Sequence, residues 1–296
     1  MPPLALALVL IAALLHAVWN IAAKKAGGDH RFVLMGALLI ALIWAPVGLW
    51  AAWDTVPRWG LTEWAFIVAS AVTHLVYFNV LLKGYRESDL TVVYPVARGT
   101  GPLVTVFAAV LLLDERLGWM GLAGVVTVAL GVFLIAGGPG LWSRANDPAQ
   151  RARVRAGVFW GAATGVLIAG YTVIDGVAVK LLAISPILVD YFGNLARIPF
   201  MLPSVLRDRA GFAAAWRAQW KYALVLALAS PLAYVLVLYA MTMAPLSHVA
   251  PAREVSMLFA ALLGGRLLGE RDRAARLAGA ACIAAGVAAL AWEPGR

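Results

Sequence analysis

The chain has 296 residues, of which 63% are hydrophobic and 13% charged, with a mean hydropathy of +0.85. Soluble domains average about 45–50% apolar and about 25% charged residues, so most of this surface must face lipid or other helices. The net charge of +9 would suit a nucleic-acid binder, but the basic residues sit in short loops between apolar runs, where membrane orientation accounts for them.

Crossing about 30 Å of hydrocarbon takes about 20 mostly apolar helical residues. Such runs occupy 3–23, 32–53, 63–82, 90–113 and 118–137, then 156–179, 184–206, 219–240, 246–268 and 274–292. No Lys or Arg precedes the first run, which continues through Trp19 and Asn20. That is longer than the apolar core of a cleaved signal, and it reads as a retained helix. Residues 138–155, with Gly-Pro-Gly and then four arginines, form the only linker-like stretch. In the sixth run Gly157, Gly161 and Gly165 share one helical face, which lets another helix approach closely. The single cysteine, Cys282, rules out an internal disulfide and a cysteine metal cluster.

The second half repeats the first. A shift of 155 positions lays Ala97-Arg98 on Ala252-Arg253, Glu115-Arg116 on Glu270-Arg271, and Leu122-Ala123-Gly124 on Leu277-Ala278-Gly279. Over 97–132 against 252–287, 13 of 36 positions are identical. One inserted residue upstream brings Pro95 onto Pro251 and Thr91 onto Ser247. The expected fold is an all-α integral membrane protein of ten transmembrane helices in two five-helix repeats, 1–137 and 156–296. Duplicated membrane domains of this kind are usual in secondary transporters, with the site between the halves near mid-depth.

Loops numbered by the run they follow are unequal in charge. The odd loops hold seventeen Lys and Arg; the even loops and both ends hold four, Arg58, Arg116, Lys180 and Arg296. The positive-inside rule then places the odd loops, and the 138–155 linker, in the cytoplasm. Five spans per repeat make the halves inverted.

The five-plus-five duplication, the repeated Glu-Arg followed by Leu-Ala-Gly and Gly-Val, and the opening Leu15-His16-Ala17-Val18-Trp19-Asn20 with Lys24 resemble the EamA-like group of the drug/metabolite transporter superfamily. The resemblance covers essentially the whole chain. It implies ten helices around a central cavity, alternating access and transport of small metabolites, and it implies no enzyme. It does not specify a substrate.

Five ionisable residues lie inside runs: Arg98, Asp175, Arg197, Arg253 and Glu254. Such groups normally face the bundle interior or a water-filled cavity. Arg98 and Arg253 follow Pro95 and Pro251, and a proline there can free backbone carbonyls. Each arginine either caps those carbonyls or binds an anionic group of the substrate with its planar fork. Among similar proteins, carriers of phosphorylated metabolites use basic residues on the fourth and ninth helices, where these two fall. His16 and Asn20, like Tyr171 and Asp175, are spaced four apart on one helical face. Asp175 pairs with an arginine or takes up a proton; Glu254, about 100° around from Arg253, is the competing proton site. Trp19 and Tyr94 are expected cavity walls, with Asn194 and Arg197 as further substrate contacts. His74, Tyr77, Asn79, Tyr191, Tyr234 and Tyr239 are the other polar residues of the runs, and tyrosines near span ends fit an interfacial belt. Glu115 and Glu270 sit at helix ends, as an interfacial salt bridge or gate.

No histidine pair, clustered carboxylates or phosphate-binding glycine loop stands in the sequence, so neither a metal nor a cofactor is expected. The sequence reading is a secondary transporter in a bacterial-type inner membrane, monomeric or homodimeric, moving a small anionic or zwitterionic metabolite, with proton coupling. Three cavity arginines against two carboxylates support that class of cargo. The alternatives are a transporter or flippase of lipid-linked or drug-like substrates, a membrane-embedded enzyme, and a non-transporting receptor.

Overall fold

The first helix, α1 (Pro3–Ala26), opens on a proline, whose missing N–H costs nothing in a first turn. It stops at Gly27, where φ of 61° is left-handed and the glycine N–H returns to the carbonyls of Ala23 and Lys24. In this computed structural model residues 1–27, 29–88, 90–135, 148–264 and 273–293 are described, and among them there is no strand. Helix α2 (His30–Ile43) begins under the Asp29 carboxylate, which accepts the N–H groups of Arg31 and Phe32. Then come α3 (Ala45–Ala52), α4 (Leu61–Glu87), α5 (Leu90–Leu112), α6 (Trp119–Ile135), α7 (Pro148–Lys180), α8 (Pro186–Leu206) and α9 (Arg209–Met243). The last are α10 (Leu246–Ala252), α11 (Val255–Gly264) and α12 (Arg273–Trp292).

These helices recover the ten runs, with two of them broken. The second run is split into α2 and α3, bent by 58° beside Pro46, which can neither donate a backbone N–H nor tolerate the preceding helical turn. The ninth is split into α10 and α11 after Pro251. There the backbone tightens, with the N–H of Glu254 on the carbonyl of Pro251 and that of Ser256 on Arg253. Arg253 and Glu254 form the break itself. The expected linker is shorter than the sequence suggests. Pro148 opens α7, so 148–155 are helical, with a proline again in a first turn. The rest of that linker, like Glu270 and Arg271, lies outside the described residues.

The outer surface is apolar. On α6, Leu122, Val126, Leu130 and Phe133 recur on one face and are all exposed, the reverse of a water-soluble helix. Trp50, Trp53, Trp119 and Trp292 are about four-fifths exposed, each near an even-loop end, where they form an interfacial belt.

Glycines set how the repeats meet. A Cβ on Gly124 would stand 2.8 Å from the carbonyl oxygen of Gly286, and one on Gly131 would stand 2.6 Å from that of Gly279. Position numbers rise along α6 as they fall along α12, so these repeat-equivalent helices run antiparallel. The same holds for α2 and α8, where Asn194 donates to the Ala37 carbonyl and the Tyr191 hydroxyl to that of Ala41. Equivalent helices running in opposite directions make the two halves inverted. Other contacts keep the exchange symmetry: α1 packs on α9 as α4 packs on α7, and α7 packs on α5 as α1 packs on α10 and α11. Gly124→Val and Gly279→Val are each expected to destabilise the fold by about 1–3 kcal/mol through overpacking, read as a lower apparent Tm in detergent. Unchanged Tm in both would show that α6 and α12 do not depend on glycine contact.

Inside, the large apolar core lies at the even-loop end. Val9, Val106, Leu188, Leu238, Met241, Leu246 and Leu290 are all buried there. At the odd-loop end the described residues include a smaller cluster, Phe32, Met35 and Ala223, joining α2 to α9.

Candidate functional site

Between the repeats, at mid-depth, lies a cavity of about 210 Å³. It has room for a small metabolite, since a single water needs only about 10–15 Å³ on the same measure. Six helices and the α10–α11 break line it. On α7, Gly161 and Gly165 admit α5 so closely that their Cβ atoms would stand 2.8 and 2.9 Å from the carbonyl oxygens of Val93 and Ala97. That approach brings Tyr94 and Arg98 to the same cavity as Tyr171 and Asp175.

Of the residues picked from sequence, His16, Trp19, Asn20, Tyr94, Arg98, Asp175, Arg197 and Arg253 all line the cavity. His16 and Trp19 meet edge to face at 4.8 Å, and Trp19 Nε1 has no hydrogen-bond partner. Asn20 returns its amide to the carbonyl of His16 at 2.7 Å. Asn194 is different: it is outside the cavity lining, buried, and its amide ties α8 to α2. In this conformation it serves as an interhelical clamp.

Arg98 and Arg253 occupy equivalent positions but not equivalent surroundings. Arg98 Nε lies 2.9 Å from Glu254 Oε2, and Nη2 donates to Ser256 Oγ at 2.8 Å. Its N–H is not aligned on the glutamate oxygen, so the first contact is an ion pair by distance. Glu254 is buried and is absent from the cavity wall. Arg253 has no carboxylate within ion-pair distance among the described residues; its guanidinium stands 5.6 Å over the ring of Tyr234. The cause is in the repeat. Glu254 follows Arg253 and reaches across to Arg98, but the position following Arg98 is Gly99, which has nothing to send back.

Asp175 has no arginine partner either. It is fully buried; the Tyr234 hydroxyl donates to Oδ2, and Oδ1 has no partner. Arg197 Nε donates to the Gly193 carbonyl of its own helix, leaving its other nitrogens toward the cavity. On α4, Ser70, His74, Tyr77 and Leu81 form one face, with His74 stacked on Tyr171 at 3.9 Å. Tyr77 and Tyr234 thus line the cavity, as Tyr171 does. Asp190 also lines the cavity and, among the described residues, carries no side-chain hydrogen bond or ion pair. Sequence reasoning missed it, although its i,i+7 spacing from Arg197 puts both on one face of α8.

At the even-loop end polar contacts tie the helices together. Glu115, between α5 and α6, accepts the backbone N–H groups of Leu246 and Ser247 at 2.7 and 2.8 Å and pairs with Lys180 Nζ at 3.0 Å. Lys180 also donates to the Ala244 carbonyl, so one carboxylate ties α5, α7 and α10 together. Burial alone would raise the Glu115 carboxyl, but the two N–H groups and the lysine outweigh it and hold it below the ordinary glutamate range. Beside it, His248 Nε2 lies 2.8 Å from a Glu293 oxygen, and the N-terminal ammonium donates to the Ala291 carbonyl. The Glu115 partner is Lys180, not the adjacent Arg116, which is exposed.

The EamA-like transporter family matches residues 3–137 and 155–292. The chain belongs to the EamA-like transporter family. A solved crystal structure is similar over 96% of this chain and 95% of its own, with a TM-score of 0.70 at 19% sequence identity, a likeness of fold. No curated protein matches the chain. EamA-like proteins are membrane transporters of the drug/metabolite type, and this one is a multi-pass membrane protein. Among the described residues, no three His, Cys, Asp or Glu side chains gather as a metal-holding group.

Proposed function

We propose that this EamA-like protein is a secondary transporter moving a small anionic or zwitterionic metabolite by alternating access. The observation that carries the reading is Arg253, a guanidinium on the cavity wall with no carboxylate partner. A buried cation without a counter-charge is costly in a membrane protein, and a substrate anion supplies what the protein does not. Trp19, Tyr94, His16 and Asn20 form the surrounding wall, with Arg197 opposite as a second free donor. Alternating access is supported by the packing of the described residues, which form a larger apolar core at the even-loop end than at the other. With the odd loops in the cytoplasm of a bacterial-type inner membrane, this conformation is closed to the outside.

Counterflow tests the reading. Proteoliposomes holding the purified chain and loaded with the carrier's own anionic or zwitterionic substrate should take up labelled substrate faster than empty ones. A panel of amino acids, phosphorylated metabolites and phosphonates giving no counterflow would overturn it in favour of a receptor or a lipid-linked cargo. Asp175 is the proposed coupling site, because it faces the cavity and lacks the arginine partner that would fix its charge, whereas Glu254 is held by Arg98. Asp175→Asn is therefore expected to abolish accumulation against a gradient while leaving counterflow within about twofold of wild type, since a neutral amide mimics the protonated acid. Survival of both activities would remove the proton from Asp175.

A further inference from the structure

The cavity holds charge of both signs that the protein does not pair. Three arginines and three carboxylates are present at or beside it: Arg98, Arg197 and Arg253, with Asp175, Asp190 and Glu254. Only Arg98 and Glu254 are within ion-pair distance of each other. Asp190 lies in electrostatic reach of Arg197 and Asp175, and Arg197 spends its Nε on a backbone carbonyl without closing on either carboxylate. Charges placed for structural support would be paired, because an unpaired buried charge is expensive. Cations and carboxylates left apart around one cavity suit a ligand that carries both signs.

We infer that Asp190 forms a subsite for a protonated amine, so that the substrate is a zwitterion with its ammonium at Asp190 and its anionic group at Arg253. This rests on the transport reading above and narrows its cargo. A second observation supports it: Oδ1 of Asp175 is buried, lines the same cavity and has no hydrogen bond within 3.5 Å among the described residues, with the Ser70 hydroxyl as its nearest polar neighbour. An ammonium offers three donors, enough for the Asp190 carboxylate and for Oδ1 of Asp175 as a neutral acceptor, which Asp175→Asn would keep. His74, Tyr77 and Tyr171 pack against one another next to Asp175, and aromatic rings favour a cation over a neutral group at such a place. Leu81, Ile168 and Val189 complete the lining with apolar surface for a short side chain. The sequence reading of three arginines over two carboxylates pointed to excess positive charge; Asp190 removes that excess.

Three isosteric probes separate the poles. L-leucine carries both charges, N-acetyl-L-leucine only the carboxylate, and isoamylamine only the ammonium. Calorimetric titration of the full chain in detergent should show leucine binding tighter than either of the others. Asp190→Asn should weaken leucine by about tenfold to a hundredfold, as expected for loss of a charge-assisted hydrogen bond, and leave N-acetylleucine unchanged. Arg253→Gln should weaken both carboxylates and spare isoamylamine. Asp190→Glu, keeping the charge, should recover part of the leucine affinity and controls for folding. N-acetylleucine binding as tightly as leucine, with both sensitive to Arg253→Gln, would overturn the amine subsite and leave the anion reading standing. Equal weakening of leucine and N-acetylleucine by Asp190→Asn would make Asp190 a structural residue. Binding of none of the three at tens of millimolar would overturn the amine subsite and count against the anion reading as well.

Discussion

Arg253→Gln is expected to weaken binding of the anionic group by about tenfold to a hundredfold, with little loss of folded protein. The magnitude is that of one charge-assisted hydrogen bond, about 1.5–3 kcal/mol. The sparing of the fold follows from what Arg253 meets among the described residues: the Tyr234 ring, the Tyr171 hydroxyl and the cavity, and no carboxylate that would be stranded by its loss. Arg253→Lys should restore only part of the affinity, because a point charge replaces a planar fork. Arg98→Gln is the contrasting variant. It would strand Glu254, which is buried, and breaking a buried pair from one side costs about 3–5 kcal/mol. Arg98→Gln should therefore lower Tm and yield before it lowers affinity. Equal affinity in wild type and folded Arg253→Gln would leave this arginine a cap on the α10–α11 break. The two arginines thus separate a binding role from a structural one at a single repeat position.

What the sequence could show and what it could not follow from the range of the interactions. The ten runs, the duplication and the inversion were legible because they depend on apolar length, residue spacing and loop charge, all local in the chain. Gly124, Gly131, Gly279 and Gly286 could be aligned from sequence, and the same four glycines then meet across the repeat interface. The residues facing the cavity were largely legible too, since a polar side chain within an apolar run has few other places to go. Pairing was not. Arg98 and Arg253 looked alike because the repeat makes their positions alike, and the difference rests on a neighbour, Glu254 against Gly99, whose reach across the bundle depends on tertiary packing. The place of Asn194 has the same cause: its helix face turns to α2, and only the crossing of α2 and α8 decides that. The proline at 46 breaks a run that hydropathy alone read as continuous.

Glu115→Gln is expected to open the even-loop end. Its carboxylate is the one side chain that holds Lys180 and the first two N–H groups of α10 together. A glutamine keeps the shape and loses the charge, so the ion pair goes and the two N–H contacts weaken. A loss of about 1.5 kcal/mol from the closed state multiplies the open-to-closed ratio by about tenfold. Ser247 reports it, because the residue is fully buried in this conformation. In a Cys282→Ser background, Ser247→Cys should react with a membrane-impermeant maleimide about tenfold faster once Glu115→Gln is added, and Lys180→Met should act in the same direction. The pH dependence has a defined sign. A carboxyl held below its ordinary range in the folded protein contributes fully above that range and is lost only as pH falls through the depressed value. Divided by the rate of a fully exposed cysteine at the same pH, which removes the change in thiolate fraction, labelling of the Glu115 parent should stay flat from about pH 8 to 6 and rise only in more acid medium, while that of Glu115→Gln should already be high at neutral pH. The same reagent tests orientation: reaction in intact cells places the even loops outside, and reaction confined to inverted vesicles reverses the assignment. Unchanged labelling in folded Glu115→Gln would mean that the apolar packing of Ile184, Met241 and Leu246 closes this end without the latch.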